Sequence, residues 1–207
     1  MSIYVESNFV LELALMQEQH ESCENILLIC EAGNARLVLP AFSIAEPYET
    51  LVRRHKSRIQ LRNDLTTELK QISRSKPYSN EIEALQNVTV LLIRSVEEEK
   101  QRLYQTRDRI LNVAEIIPLS AEILISAAKF QTTLVLSPQD SIVYASVLHH
   151  LNTSEAVKKC FLNRNSKDFD DPDIVQSLEN YGCKMLFSFA SGYNYIQSHI
   201  SPTSAGA

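Results

Sequence analysis

Four acidic residues, Glu6, Glu46, Asp140 and Asp168, stand where short apolar segments or loops give way to helical ones. Glu6 follows the apolar run Ser2 to Val5. Glu46 is the fourth residue of Ser43-Ile44-Ala45-Glu46, and Asp140 the fourth of Ser137-Pro138-Gln139-Asp140. Asp168 shares a polar loop with Asp170, Asp171 and Asp173. Taken singly, each has an ordinary explanation: an exposed acid near a terminus, a capping box, a first-turn acid favoured by the helix dipole, and solvated charge beside an N-cap at Asp171. Gathered in one place, four carboxylates repel one another unless a cation sits among them. Hard oxygen ligands without a Cys or His set select Mg²⁺ or Mn²⁺ over Zn²⁺. Such an ion activates water and neutralises charge developing on a phosphodiester. That chemistry needs neither a glycine-rich loop nor a nucleophilic side chain.

The elements that must bring these acids together are legible in the hydrophobic pattern. Ser2 to Val5 reads as a short buried strand, and Phe9 to Met16 as a helix with apolar residues at helical spacing. A second helix runs from about Glu21 to Glu31, ended by Gly33-Asn34, and Arg36 to Leu39 is a second strand closed by Pro40. Apolar strands alternating with helices imply an open parallel sheet covered on both faces. From Ser43 a long helical region begins. Leu51, His55, Ile59 and Arg62 share one face, and Leu61, Leu65, Leu69 and Ile72 continue an apolar stripe. After a turn at Lys76-Pro77-Tyr78-Ser79, Ile82, Leu85, Val88, Leu92, Val96, Leu103 and Ile110 mark a second long helix. The pair reads as a helical hairpin inserted at about 57–112. Ile116-Ile117-Pro118-Leu119 leads into a helix from Ser120 to Gln131, and Ser137-Pro138 opens another that runs to His150. Val157 to Leu162 is a third strand, Asn163 to Asp170 a polar loop, Asp171-Pro172 a helix start, and Cys183 to Phe187 a fourth strand. Residues 1–200 read as one domain and 201–207 as a disordered tail. In such a sheet, the ends of the strands and the helices that follow them gather on the edge where ligands bind.

Four segments resemble the PIN-domain family, in the family's order. They are Ile3-Tyr4-Val5-Glu6-Ser7-Asn8-Phe9-Val10-Leu11, Leu39-Pro40-Ala41-Phe42-Ser43-Ile44-Ala45-Glu46, Leu136-Ser137-Pro138-Gln139-Asp140-Ser141-Ile142-Val143-Tyr144-Ala145 and Phe161-Leu162-Asn163-Arg164-Asn165-Ser166-Lys167-Asp168-Phe169. The resemblance implies a three-layer α/β/α fold and cleavage of single-stranded RNA with Mg²⁺ or Mn²⁺, and the expected partner is single-stranded or structured RNA. It implies that Glu6, Glu46, Asp140 and Asp168 are the catalytic, metal-facing acids. It also implies that Asn8 orients the first carboxylate and that Asn165 shares the role of the fourth acid. The first acid of the family is usually Asp; Glu6 adds a methylene, which reaches farther and is held less firmly. Many members are toxins restrained by a small antitoxin, and the sequence leaves open whether this chain is one. The hairpin makes the chain longer than compact members. Covering the site, forming a dimer surface and binding a partner are its three open roles, and a homodimer is the expected state. The alternative to a ribonuclease is a PIN-fold module that binds RNA or protein with little or no catalysis.

Composition narrows the choice. Of 207 residues, 44% are hydrophobic and 22% charged, in the range of ordinary globular chains. A net charge of −5 argues against nucleic-acid binding by bulk charge, so a local basic patch or a bound cation must do that work. Arg53, Arg54, Lys56 and Arg58 supply such a patch, with Arg53, Arg54 and Lys56 expected to hold RNA phosphates; a solvated helix face is the plainer account. Arg102, Arg107 and Arg109 flank Glu97-Glu98-Glu99 and read as solvation or i,i+4 pairing. His149-His150 point in different directions on a helix and make a poor metal pair. The run Asp168 to Glu179 lacks the glycine of a calcium loop. Four cysteines without a CxxC pair read as reduced structural thiols. With no signal sequence and no run of ~18 apolar residues, the expected compartment is the cytoplasm.

Overall fold

The apolar runs of this sequence are short where they form strands, and longer with helical period elsewhere. The computed structural model describes residues 1–78 and 82–200. Ser79 and the expected tail at 201–207 lie outside the described residues. Five strands, β1 (Ser2–Val5), β2 (Arg36–Pro40), β3 (Glu115–Ile117), β4 (Lys159–Leu162) and β5 (Cys183–Leu186), make one sheet. All its pairings are parallel, in the order β3-β2-β1-β4-β5. The helices are α1 (Ser7–Leu15), α2 (His20–Glu31), α3 (Ala41–Ile72), α4 (Ile82–Val113), α5 (Ala121–Thr133), α6 (Pro138–Leu151), α7 (Ser166–Phe169), α8 (Pro172–Asn180) and α9 (Phe189–His199), with a 3₁₀ turn at Lys76–Tyr78.

Because successive side chains of a strand point to opposite faces, each strand feeds two cores. Ile3, Val5, Leu37, Leu39, Cys160 and Leu162 pack under α1, α2, α9 and the roots of α3 and α4. Tyr4, Val38, Ile117, Phe161, Cys183 and Met185 pack under α5, α6, α7 and α8. The molecule therefore has the expected three layers, helix–sheet–helix. All four cysteines are buried and free. Burial pushes their thiols up, away from the reactive thiolate. Among the described residues no helix is long and apolar enough to cross a membrane.

Several expectations change. The sheet has five strands, not four: Glu115–Ile117, read from sequence as the approach to a helix, is the edge strand β3, paired with β2 from Val38 to Pro40. Side chains reinforce this short edge. Arg36 Nη1 donates to Glu115 Oε2 at 3.2 Å, and His150 Nε2 lies 3.1 Å from Glu115 Oε1. His150 Nδ1 is 2.9 Å from the Tyr4 hydroxyl, so the second histidine of the pair serves a polar link across the sheet. The helix α9 has no counterpart in the sequence reading, and the expected loop 163–170 contains α7. The first hairpin helix is continuous from Ala41, so the expected insertion point near residue 57 corresponds to no break in it. Arg102 donates to the Ala14 carbonyl at 3.0 Å, and Arg109 pairs with Glu24 and Glu31 on α2. These two arginines thus pin the root of α4 to the body, beyond the solvation or i,i+4 pairing expected of them.

Candidate active site

The strand order sets the place of the site. From β1 the chain moves outward through β2 and β3, then returns to β4 on the other side of β1 and continues to β5. The crevice at the C-terminal ends of β1 and β4 is thus the switch point of the sheet, where ligands bind in open α/β folds. A cavity of about 530 Å³ lies there, and Glu6, Glu46 and Asp140 all line it.

Each acid is placed by its own element. Glu6 ends β1 and caps α1, its Oε2 accepting the Asn8 backbone N–H at 2.7 Å. Glu46 stands early in α3 and accepts a short hydrogen bond from the Ser7 hydroxyl. The capping box expected at Ser43 to Glu46 is not formed. The helix begins two residues earlier, with Pro40 at its N-cap, and the buried Ser43 hydroxyl has no hydrogen-bond partner. The Glu46 carboxylate is thereby left to Ser7 and the cavity. Asp140 lies in the first turn of α6: its N–H donates to the N-cap Ser137 Oγ at 3.1 Å, and that hydroxyl donates back to Asp140 Oδ2 at 2.6 Å. Asn165 Nδ2 donates to both Asp140 Oδ2, at 3.2 Å, and Asp168 Oδ2, at 2.7 Å. Asp168 itself is exposed on α7 and does not line the cavity. The structure thus brings three of the four acids to one cavity and attaches the fourth through Asn165.

The electrostatics centre on Glu6, which is 6% exposed. Its Oε1 is buried without a hydrogen-bond partner. Burial pushes its pKa up to about 7, and the charge of Glu46 adds to that. The Asn8 backbone and amide and the Arg164 backbone N–H pull the other way. An orphaned carboxylate oxygen, two further carboxylates on the same cavity and a surrounding set of amides and hydroxyls suit a hard divalent cation. Zinc is disfavoured, because no Cys or His lines this cavity. Among the described residues, no three His, Cys, Asp or Glu side chains form a ready-made cluster. Each carboxylate leans on its own local donor instead. The residues fit such an ion in kind, and all three carboxylates line the one cavity.

Of the expected cations, Arg53 and Arg54 line the cavity, and among the described residues neither has a protein partner. Lys56 is exposed and outside the lining. Arg58 is engaged elsewhere, 2.8 Å from Glu99 and 3.1 Å from the Ser95 hydroxyl. The sequence reading missed Ser7, Thr50, Asn163 and Arg164, which also line the cavity. Ser7 and Thr50 had a signal: they stand one residue after Glu6 and one helical turn after Glu46. A larger cavity, about 830 Å³, lies at the other ends of the strands beside Arg36, Glu115 and His150, and none of the four acids lines it.

The model of the PIN domain matches residues 3–169, a span that includes all four acids. No curated protein and no solved structure matches the chain. The match covers well over half of the sequence, and the parallel five-stranded sheet between helical layers agrees with it. This chain belongs to the PIN-domain family.

Proposed function

We propose that this protein is a divalent-metal-dependent ribonuclease acting on single-stranded RNA, with Glu6, Glu46 and Asp140 as the residues that hold the ion. PIN domains are generally nucleases. The observation that carries the finer reading is the buried, unpartnered Oε1 of Glu6 on a cavity shared with two more carboxylates. When bound, Mg²⁺ or Mn²⁺ supplies the positive charge that a phosphodiester under attack requires and lowers the pKa of a nearby water. The protein's own groups do the rest. Ser7 orients Glu46, Ser137 and Asn165 orient Asp140, and Asn165 links Asp168 to them. Arg53 and Arg54 take phosphates of the substrate strand, which accounts for RNA binding by a chain of net charge −5. Purified protein with Mn²⁺ is expected to cut single-stranded RNA, and EDTA to stop it. Asp140→Asn is expected to slow cutting by about a hundredfold or more, the scale of losing several kcal/mol of charge stabilisation. RNA left intact in Mn²⁺, or an Asp140→Asn protein as fast as the parent, sinks this reading.

A second reading, a module that binds RNA with little catalysis, is favoured by the exposed position of Asp168 and by carboxylates held on separate donors. It predicts RNA binding that EDTA does not change, together with no heat of Mn²⁺ binding in calorimetry.

A further inference from the structure

The turn Asn163-Arg164-Asn165 leaves β4 and carries the cavity's far wall. On its inner side, Asn163 Oδ1 accepts the Asn165 N–H at 2.7 Å, and the Asn165 amide reaches Asp140 and Asp168. The Arg164 guanidinium points elsewhere. It forms a close ion pair with Glu12 on α1, with a second nitrogen 3.5 Å from Glu18. The Glu12 side chain is only 1% exposed, and its other oxygen accepts the Gln19 N–H at 2.8 Å. A carboxylate so buried requires its cation, so the pair fixes the turn against α1. That helix is the one Glu6 caps and Ser7 begins, and Glu6 and Arg164 line the same cavity.

We propose that Arg164 is a positioning residue for the acidic site: locked on buried Glu12, it holds the Asn163–Asn165 turn in register with α1, so that Glu6 at the start of α1 and Asp140 of α6 face one cavity, with Asp168 attached through Asn165. The proposal rests on the metal-site reading for its purpose and on the two halves of the ion pair for its mechanism. Outer residues that orient metal ligands typically change metal affinity 10–100-fold when replaced.

The test uses the full chain carrying Glu12→Leu with Arg164→Met. Replacing both partners by apolar groups leaves no orphaned charge, and the Gln19 N–H that loses Glu12 as its acceptor belongs to a partly exposed residue, within reach of water. Arg164→Lys is made alongside, because it keeps the charge but lacks the two-pronged fork. Two quantities are read without RNA: hydrogen exchange of the Asn165 N–H by NMR in metal-free protein, and Mn²⁺ binding by calorimetry. The double variant is expected to exchange Asn165 faster and to bind Mn²⁺ about 10–100-fold more weakly at an unchanged thermal midpoint, with Arg164→Lys intermediate. Parent-like exchange and parent-like Mn²⁺ affinity in the double variant overturn the proposal and leave the pair a purely structural one. Should the double variant not fold, Arg164→Lys decides on the same two readouts. A parent that binds no Mn²⁺ overturns the metal reading instead, and the Asn165 exchange then decides for or against Arg164.

Discussion

Glu6 has two physical tasks that oppose each other. As the cap of α1 its carboxylate sits at the positive end of a helix dipole, which favours the charge. As a buried group with an unpartnered oxygen it favours the proton, and burial wins, with a pKa of about 7 against an ordinary 4.5. A carboxyl whose folded pKa lies above its unfolded value binds more protons when native. Stability is therefore lost as pH rises from about 4.5 to about 7, and the full penalty is present above that window. Glu6→Gln keeps the acceptor for the Asn8 N–H and removes the charge. In EDTA it is expected to stabilise the protein at pH 8 by about 2–3 kcal/mol, and to change little at pH 4.5, in urea unfolding. Equal effects at both pH values contradict this account. The same coupling has the ion compete with a proton, so Mn²⁺ affinity is expected to fall by roughly tenfold per pH unit below 7. The acid's position was legible from one local fact, that it ends an apolar strand. Its burial and the pKa that burial raises were not, because the walls that cover it include Glu46, Asp140 and Arg164, far away in sequence.

At the scale of elements, α3 shows how much one helical period conveys. Glu46, Thr50, Arg53 and Arg54 fall at i, i+4, i+7 and i+8, one stripe of a helix, and all four line the cavity. Lys56, two residues past Arg54, comes out about 160° from it and beyond the other side of that stripe, which is why the expected trio of cations divides. Arg53→Ala with Arg54→Ala is expected to weaken single-stranded RNA binding at low salt and to lower the slope of log K against log salt by about 1.4, at ~0.7 per lost phosphate contact. Lys56→Ala is expected to leave the slope nearly unchanged. An unaltered slope in the double variant removes Arg53 and Arg54 from the RNA path. Elements held by distant partners escaped the sequence reading. The strand β3 is three residues of sheet edge, secured by Arg36 and His150. The helix α9 opens on N–H groups capped by Gln19 from the other end of the chain, with the Phe189 N–H 2.6 Å from its Oε1. Its Gly192, weak in helix propensity, is required by packing, since a Cβ there would stand 2.6 Å from Leu162 Cδ2. No local window contains those contacts.

Across the whole molecule, the chain order of the strands decides where chemistry can gather, and the hairpin decides the outline. The parallel sheet and its two cores were readable from alternating apolar segments, because burial on both faces leaves a strong pattern. The extent of the hairpin that belongs to the body was not, because its heptad-like spacing runs through both helices without a break. Burial separates the two parts. Leu51 of α3 and Leu103 and Ile110 of α4 belong to the main core. From Ile59 to Arg94, by contrast, no described residue is buried, and Leu61, Ile72, Val90, Leu91 and Ile93 are exposed. Two helices packed only on each other bury too little apolar surface to stabilise the rest, whereas the roots are tied by Leu51, Leu103, the Arg58–Glu99 pair and the Arg109 pairs with α2. Replacing 60–93 by a short Gly/Ser turn therefore removes an arm and leaves the body's core intact. The shortened protein is expected to unfold cooperatively within a few degrees of the parent by circular dichroism, since substitutions outside a core shift the midpoint little. Its Mn²⁺ affinity is expected to match the parent's, because Glu46, Arg53 and Arg54 all precede the cut. A collapse of the thermal transition would mean that the arm is part of the folding core, and a lost Mn²⁺ site with an intact transition would mean that the arm shapes the acidic cavity from a distance.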